Sequence, residues 1–196
     1  MNEAWTQLRV KATREGGEVE RCHGTPHVGA YTVGQHTFGA VSLLLLLHPA
    51  PTIELVKLVQ WHDVAERWLG DVPSPAKLVS PDFARLYETA EARLLFQLGL
   101  VRDPSAYAPE DLNWLRAVDI IELWLWTGEQ VRFGNGNVRR MRLACEEVIA
   151  RLRVDGRLPE PAAAFYDARR QSGDDRLSDF WPEVEELMRG PGEAEG

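Results

Sequence analysis

Apolar residues recur at helical spacing along most of the chain, with almost no strand-like alternation. An amphipathic stretch over residues 4–14 leads into GGEVERCHGTPHVGAYTVGQ, where the glycines and Pro26 forbid regular structure. Loops of about 20 residues in a compact domain are usually functional. A helix then runs from about residue 32 to 47 and stops before His48-Pro49. The next begins near Pro51-Thr52 and ends at Gly70, a C′ glycine. DVPSPAK follows as a loop. Ser80 caps a further helix with Pro81 at its first position, and Pro109 repeats the device at the head of APEDLNWLRAVDIIELWLWTGEQV. FGNGN is a turn, VRRMRLACEEVIARLRV the next helix, and one or two shorter helices around Phe165 and Trp181 close the chain. The pattern predicts an all-α domain of six to eight helices over residues 1–190, with 191–196 as a tail that has nothing to bury.

Composition narrows the function. A length of 196 residues suits one domain, and 44% hydrophobic content with seven tryptophans suits a packed core. The net charge of −8 argues against binding a nucleic-acid duplex, which needs a basic face, but leaves small anionic substrates open. Cys22 and Cys145 have no metal-ligand spacing and no signal-peptide n-region precedes them, so the chain reads as cytoplasmic and disulfide-free. AVSLLLLL at residues 40–47 falls far short of the ~18 to 20 apolar residues that cross a bilayer, and reads as a buried core helix.

The chargeable groups worth weighing sit inside apolar helices. In ELVKLVQWHDVAERWLG, His62 and Asp63 are placed mid-helix, with Glu66 on the face of His62 one turn on. A lone HD dipeptide is ordinarily a solvated stripe. Here Leu55, Leu58, Val59, Trp61, Val64 and Trp68 leave only a narrow polar edge. His36 opens the preceding helix; taken alone, its ordinary reading is a capping or satisfied core histidine. Asp119, among Val118, Ile120 and Ile121, is costly to bury unless paired or bound to a cation. Two imidazoles and two carboxylates suit Mn, Co, Fe, Zn or Mg to differing degrees. His23 and His27 lie on a loop broken by Gly24 and Pro26, which disfavours a ligand pair, and the arginines at 132, 139, 140 and 142 read as a solvated helix face.

His36, His62-Asp63 and Asp119 match the H…HD…D pattern of the HD-domain metal-dependent phosphohydrolases. The chain resembles one branch in particular, the small bacterial HD-domain 5′-deoxynucleotidases and the related phage dATP triphosphohydrolases. That branch has an Arg fifteen residues before the first His, here Arg21, and a Glu at +4, an Asp at +9 and a Lys at +15 from the second, here Glu66, Asp71 and Lys77. The resemblance spans about residues 20–125. The chain departs from it at Cys22, where the family has a sugar-packing Trp, at Gln35, where it commonly has Glu, and in a shorter interval from His62 to Asp119.

The resemblance implies one divalent cation on His36, His62, Asp63 and Asp119, Glu66 as base, Asp71 as acid, and Arg21 and Lys77 on the phosphate, with Cys22 beside the sugar. It implies hydrolysis of a deoxynucleoside 5′-monophosphate to nucleoside and phosphate. The alternatives are a dNTP (dATP) triphosphohydrolase releasing triphosphate, and a non-catalytic sensor that binds metal and nucleotide. Nucleotide is the expected partner, and the tryptophan-rich later helices together with the resemblance suggest a homo-oligomer.

Overall fold

A computed structural model describes residues 2–172 and Met188, so the helix expected around Trp181 and the expected tail at 191–196 lie outside the described residues. The chain is built from α1 (Glu3–Gly17), α2 (Val33–Leu47), α3 (Ile53–Trp61), α4 (Glu66–Leu69), α5 (Ser74–Val79), α6 (Pro81–Gln97), α7 (Pro109–Arg132), α8 (Arg139–Val154) and α9 (Glu160–Gln171). α4 is a single four-residue turn, and eight longer helices remain among the described residues. The β pairing described is one isolated bridge, Glu20 with Thr32, which pinches the loop between α1 and α2. The architecture is all-α.

Helix starts follow local chemistry. Thr32 caps α2 through a capping box, its hydroxyl accepting the Gln35 N–H while Gln35 Oε1 accepts the Thr32 N–H at 2.8 Å. Gln35, one of the departures from the family pattern, thus has a structural duty. Thr52 caps α3, and Ser80 with Pro81 opens α6. Gly70 ends α4 at φ 77°, a conformation that favours glycine.

α7 is the axis of the molecule. It is buried or half-buried nearly all round, with its charged residues spread among apolar ones, and α2, α3, α8 and α9 pack against it. Leu44 of α2, Leu55 and Val59 of α3 and Val118, Ile121 and Trp124 of α7 are almost wholly removed from solvent. Burial of such side chains contributes roughly 1.5–3 kcal/mol each, which fixes the three helices against one another. No helix among the described residues is long and apolar enough to cross a membrane.

Two segments differ from the sequence expectation. The helix through His62 does not run unbroken to Gly70. It stops at Trp61, and residues 62–65 form turns whose hydrogen bonds close over three residues, Val64 N to Trp61 O and Glu66 N to Asp63 O. The tighter winding corrects the mid-helix placement of His62 and Asp63. DVPSPAK also contains α5, opened by a proline in its first turn, so Lys77 stands on a short helix and not in a loop.

Candidate metal centre

Three core helices deliver the donors to one point. α2 brings His36, the turn after α3 brings His62 and Asp63, and α7 brings Asp119. The ligand atoms of His36, His62 and Asp63 lie within 4.8 Å of one another. Asp119 closes the group from α7, its Oδ1 3.2 Å from His36 Nε2 and 3.9 Å from His62 Nε2. Asp63 Oδ2 is 3.7 Å and 3.3 Å from the same two nitrogens.

Each imidazole is held by its other nitrogen. His62 Nδ1 is 2.8 Å from the Val59 carbonyl, which can only accept, so Nδ1 carries the proton and Nε2 is turned into the cluster. His36 Nδ1 donates to Glu122 Oε2, which also accepts the Tyr31 hydroxyl at 2.6 Å. Tyr31 stacks on Trp126 with centroids 4.2 Å apart, bracing that hydroxyl. Both Nε2 atoms are buried and lack a hydrogen-bond partner, although carboxylates lie nearby without the alignment for one. Orphaned buried polar atoms are costly in a folded protein. Two bare imidazole nitrogens and two carboxylates around one point form the donor set of a divalent transition-metal ion, and a histidine braced by a carboxylate on its far side is the usual support for such a ligand. The residues present fit a metal.

Electrostatics point the same way. Burial lowers the pKa of His62, but the carboxylates of Asp63 and Asp119 outweigh it and hold its proton up to about 9. Burial opposes ionisation of Asp63 and Asp119, yet the histidines, joined at Asp63 by Arg21, keep both carboxyls below their ordinary values. The cluster therefore attracts positive charge, and a cation would displace the His62 proton.

Around this point lie the remaining sequence candidates. Arg21, 9% exposed, donates to Asp63 and reaches Glu66 Oε1 at 3.8 Å; its Nε has no partner. Glu66 is buried at the start of α4, and burial, with Asp63 close by, pushes its carboxyl up to about 9. Asp71 accepts the Cys22 backbone N–H at 2.9 Å. Cys22 sits at φ 55°, in the left-handed region unusual for a residue with a Cβ, and its Sγ meets Met141 Sδ at 3.9 Å. Lys77 rests its ammonium 4.6 Å from the ring of Tyr87. His27 is turned away from the cluster, to Glu20 Oε1 at 3.2 Å and the Thr25 carbonyl at 2.9 Å.

Three residues escaped the sequence reading. Glu122 follows Asp119 by one helical turn, and the cost that singles out Asp119 applies equally to a carboxylate between Ile121 and Leu123. Glu91 of α6, pushed up to about 7 by burial against the opposing pull of Lys77, looks in ETAEARLL like part of a solvated face. Tyr31 offers no signal, because its role depends on Glu122, 91 residues away.

Comparison with solved structures identifies the architecture. An HD-domain phosphohydrolase from Listeria innocua superposes with a TM-score of 0.67 at 15% identity, over 87% of this chain and 89% of that one. The PH0347 protein from Pyrococcus horikoshii OT3 superposes at 0.63 and 19% identity, over 87% of this chain and 99% of that one. No family model matches the sequence, and no curated protein does. The chain thus has the all-α fold found in an HD-domain phosphohydrolase, with a His-His-Asp group able to bind a metal at its centre.

Proposed function

We propose that the protein is a metal-dependent phosphohydrolase that cleaves the 5′-phosphate ester of nucleotides, acting on deoxynucleoside 5′-monophosphates to give nucleoside and phosphate. The observation that carries this reading is the convergence of His36, His62, Asp63 and Asp119 with two unpartnered imidazole nitrogens facing one point. A divalent cation held there acidifies water and stabilises negative charge on phosphorus. The chain's own residues supply the rest. Glu66, beside the cluster, takes a proton from the attacking water; its high pKa in the metal-free protein falls when a cation shares the site. Arg21, which donates to Asp63 in the metal-free protein, would offer a planar fork to the phosphate oxygens, and Lys77 would add a point charge. Asp71 protonates the departing 5′-oxygen.

Engagement of Arg140 and Arg142, two of the four arginines at 132, 139, 140 and 142, favours a monophosphate over a triphosphate. Arg142 donates to the Trp124 carbonyl at 2.9 Å and lies over the Trp124 ring, and Arg140 pairs with Glu147 at 3.0 Å. These two cations are tied to α7 and α8 contacts, which takes them away from a polyphosphate tail. The test is product analysis after incubating the metal-loaded protein with each dNMP, NMP and dNTP under Mn²⁺, Co²⁺, Zn²⁺ or Mg²⁺. Nucleoside plus orthophosphate from monophosphates is the expected result, and equal use of ribonucleotides would assign a relaxed sugar filter to Cys22. Triphosphate released from dATP would move the assignment to the triphosphohydrolases. Bound metal and nucleotide without product would make the protein a sensor.

A further inference from the structure

Lys77 carries its charge on α5, a helix that buries no residue and packs on α6. Leu78 and Val79 beside it stand exposed, whereas Lys77 is half-buried, with its ammonium 4.6 Å from the centroid of the Tyr87 ring. Tyr87 is itself buried on α6, and its hydroxyl donates to the carbonyl of Gly70, the residue that ends α4. Burial, with Glu91 and Glu66 close by, pushes the phenol pKa up, so the hydroxyl stays a donor. One side chain thus links α4, α5 and α6, its edge to the backbone leaving α4 and its face to the charge on α5.

An aromatic face attracts a cation without neutralising it. Glu91, one turn beyond Tyr87 on α6, is near enough for its charge and that of Lys77 to act on each other, but forms no ion pair with it. The ammonium is therefore held in place with its charge still available. A lysine otherwise carries its charge on a long flexible stem whose freedom is lost when a phosphate fixes it, and holding the stem beforehand reduces that loss. We propose that Tyr87 is the positioning residue for Lys77: its hydroxyl fixes the ring on the Gly70 carbonyl, and the ring fixes the ammonium for an incoming phosphate. This role rests on the phosphohydrolase reading above, in which Lys77 meets the substrate phosphate.

The test is a double-mutant cycle on the metal-loaded full chain, read both as kcat/KM for deoxynucleoside 5′-monophosphates and as the calorimetric affinity for inorganic phosphate. Lys77→Met should lower each by about tenfold, the loss of one charge-assisted contact. Tyr87→Leu should lower each by about three- to tenfold, and should change nothing further in the Lys77→Met background, because the ring then has no charge to hold. Tyr87→Phe keeps the face and should restore most of what Tyr87→Leu loses. Should Tyr87→Leu not fold, ring-fluorinated phenylalanines at position 87 replace it: they keep the shape while weakening the negative face, and affinity should fall with each added fluorine when Lys77 is present but not in the Lys77→Met protein. Losses that multiply in the double variant, no loss in either single variant, or a Tyr87→Phe protein as weak as Tyr87→Leu overturn the positioning role while leaving the phosphohydrolase reading intact. A parent protein that hydrolyses no monophosphate overturns that reading, and this role with it.

Discussion

The two halves of the candidate site are built on different ground. Metal-type donors come from α2, the end of α3 and α7, where His36 is fully buried and Leu44, Val59 and Ile121 lock the helices together. The substrate-side groups Arg21, Cys22, Asp71 and Lys77 come from the α1–α2 loop, the segment after Gly70 and α5, a helix with no buried residue. Geometry that must hold to a fraction of an ångström is thus held by the core, while Lys77, on a helix with no buried residue, stands where change costs little stability.

The difference can be forced into the open. His62→Ala should abolish bound metal and reduce hydrolysis by about 10³-fold, roughly 4 kcal/mol of transition-state stabilisation; metal analysis with single-turnover assays reads both, and full metal occupancy would remove His62 from the ligand set. In the scaffold, Leu44→Ala should cost about 2–5 kcal/mol in denaturant unfolding, while Leu78→Ala on α5, 81% exposed, should stay within about 0.5 kcal/mol. Comparable losses at the two positions would erase the contrast.

A subtler effect concerns pH. His62 and Glu66 both bind a proton more tightly in the native metal-free protein than in the unfolded chain, each titrating near 9. The His62 contribution is complete below the imidazole value of the unfolded chain and is lost as pH rises through 9, and Glu66 changes stability in the same direction. The metal-free protein should therefore melt several degrees lower at pH 9 than at pH 6.5, and added metal should flatten the difference; a rising Tm over that range would contradict the assigned charges. The smallest change is expected from Glu122→Gln, which keeps a hydrogen bond to His36 but removes charge. Metal affinity by chelator competition should fall by about tenfold, with the unfolding midpoint almost unmoved.

What sequence reading recovers follows the range of the interaction. Thr32, Ser80-Pro81 and Pro109 announce helix starts because a cap acts within three residues, and the polar residues of the cluster stand out because their neighbours are apolar. The turn at residues 62–65 does not announce itself, since its composition suits a continuing helix and only packing tightens it. Glu122 and His36 meet across 86 residues of chain, and His23 and Asp71 belong to segments joined only by folding. Spacing locates the donors, whereas the braces behind them are tertiary facts.

Gly39 carries none of this chemistry, yet a methyl group at its Cα would stand 2.7 Å from Glu122 Cγ, closer than side-chain carbons tolerate. The brace of His36 therefore depends on an empty volume the size of one hydrogen-for-methyl exchange. Any census of functional positions based on reactive groups would pass over it. The most conservative substitution available there, glycine to alanine, is the one by which random mutation could silence the centre without altering a single ligand.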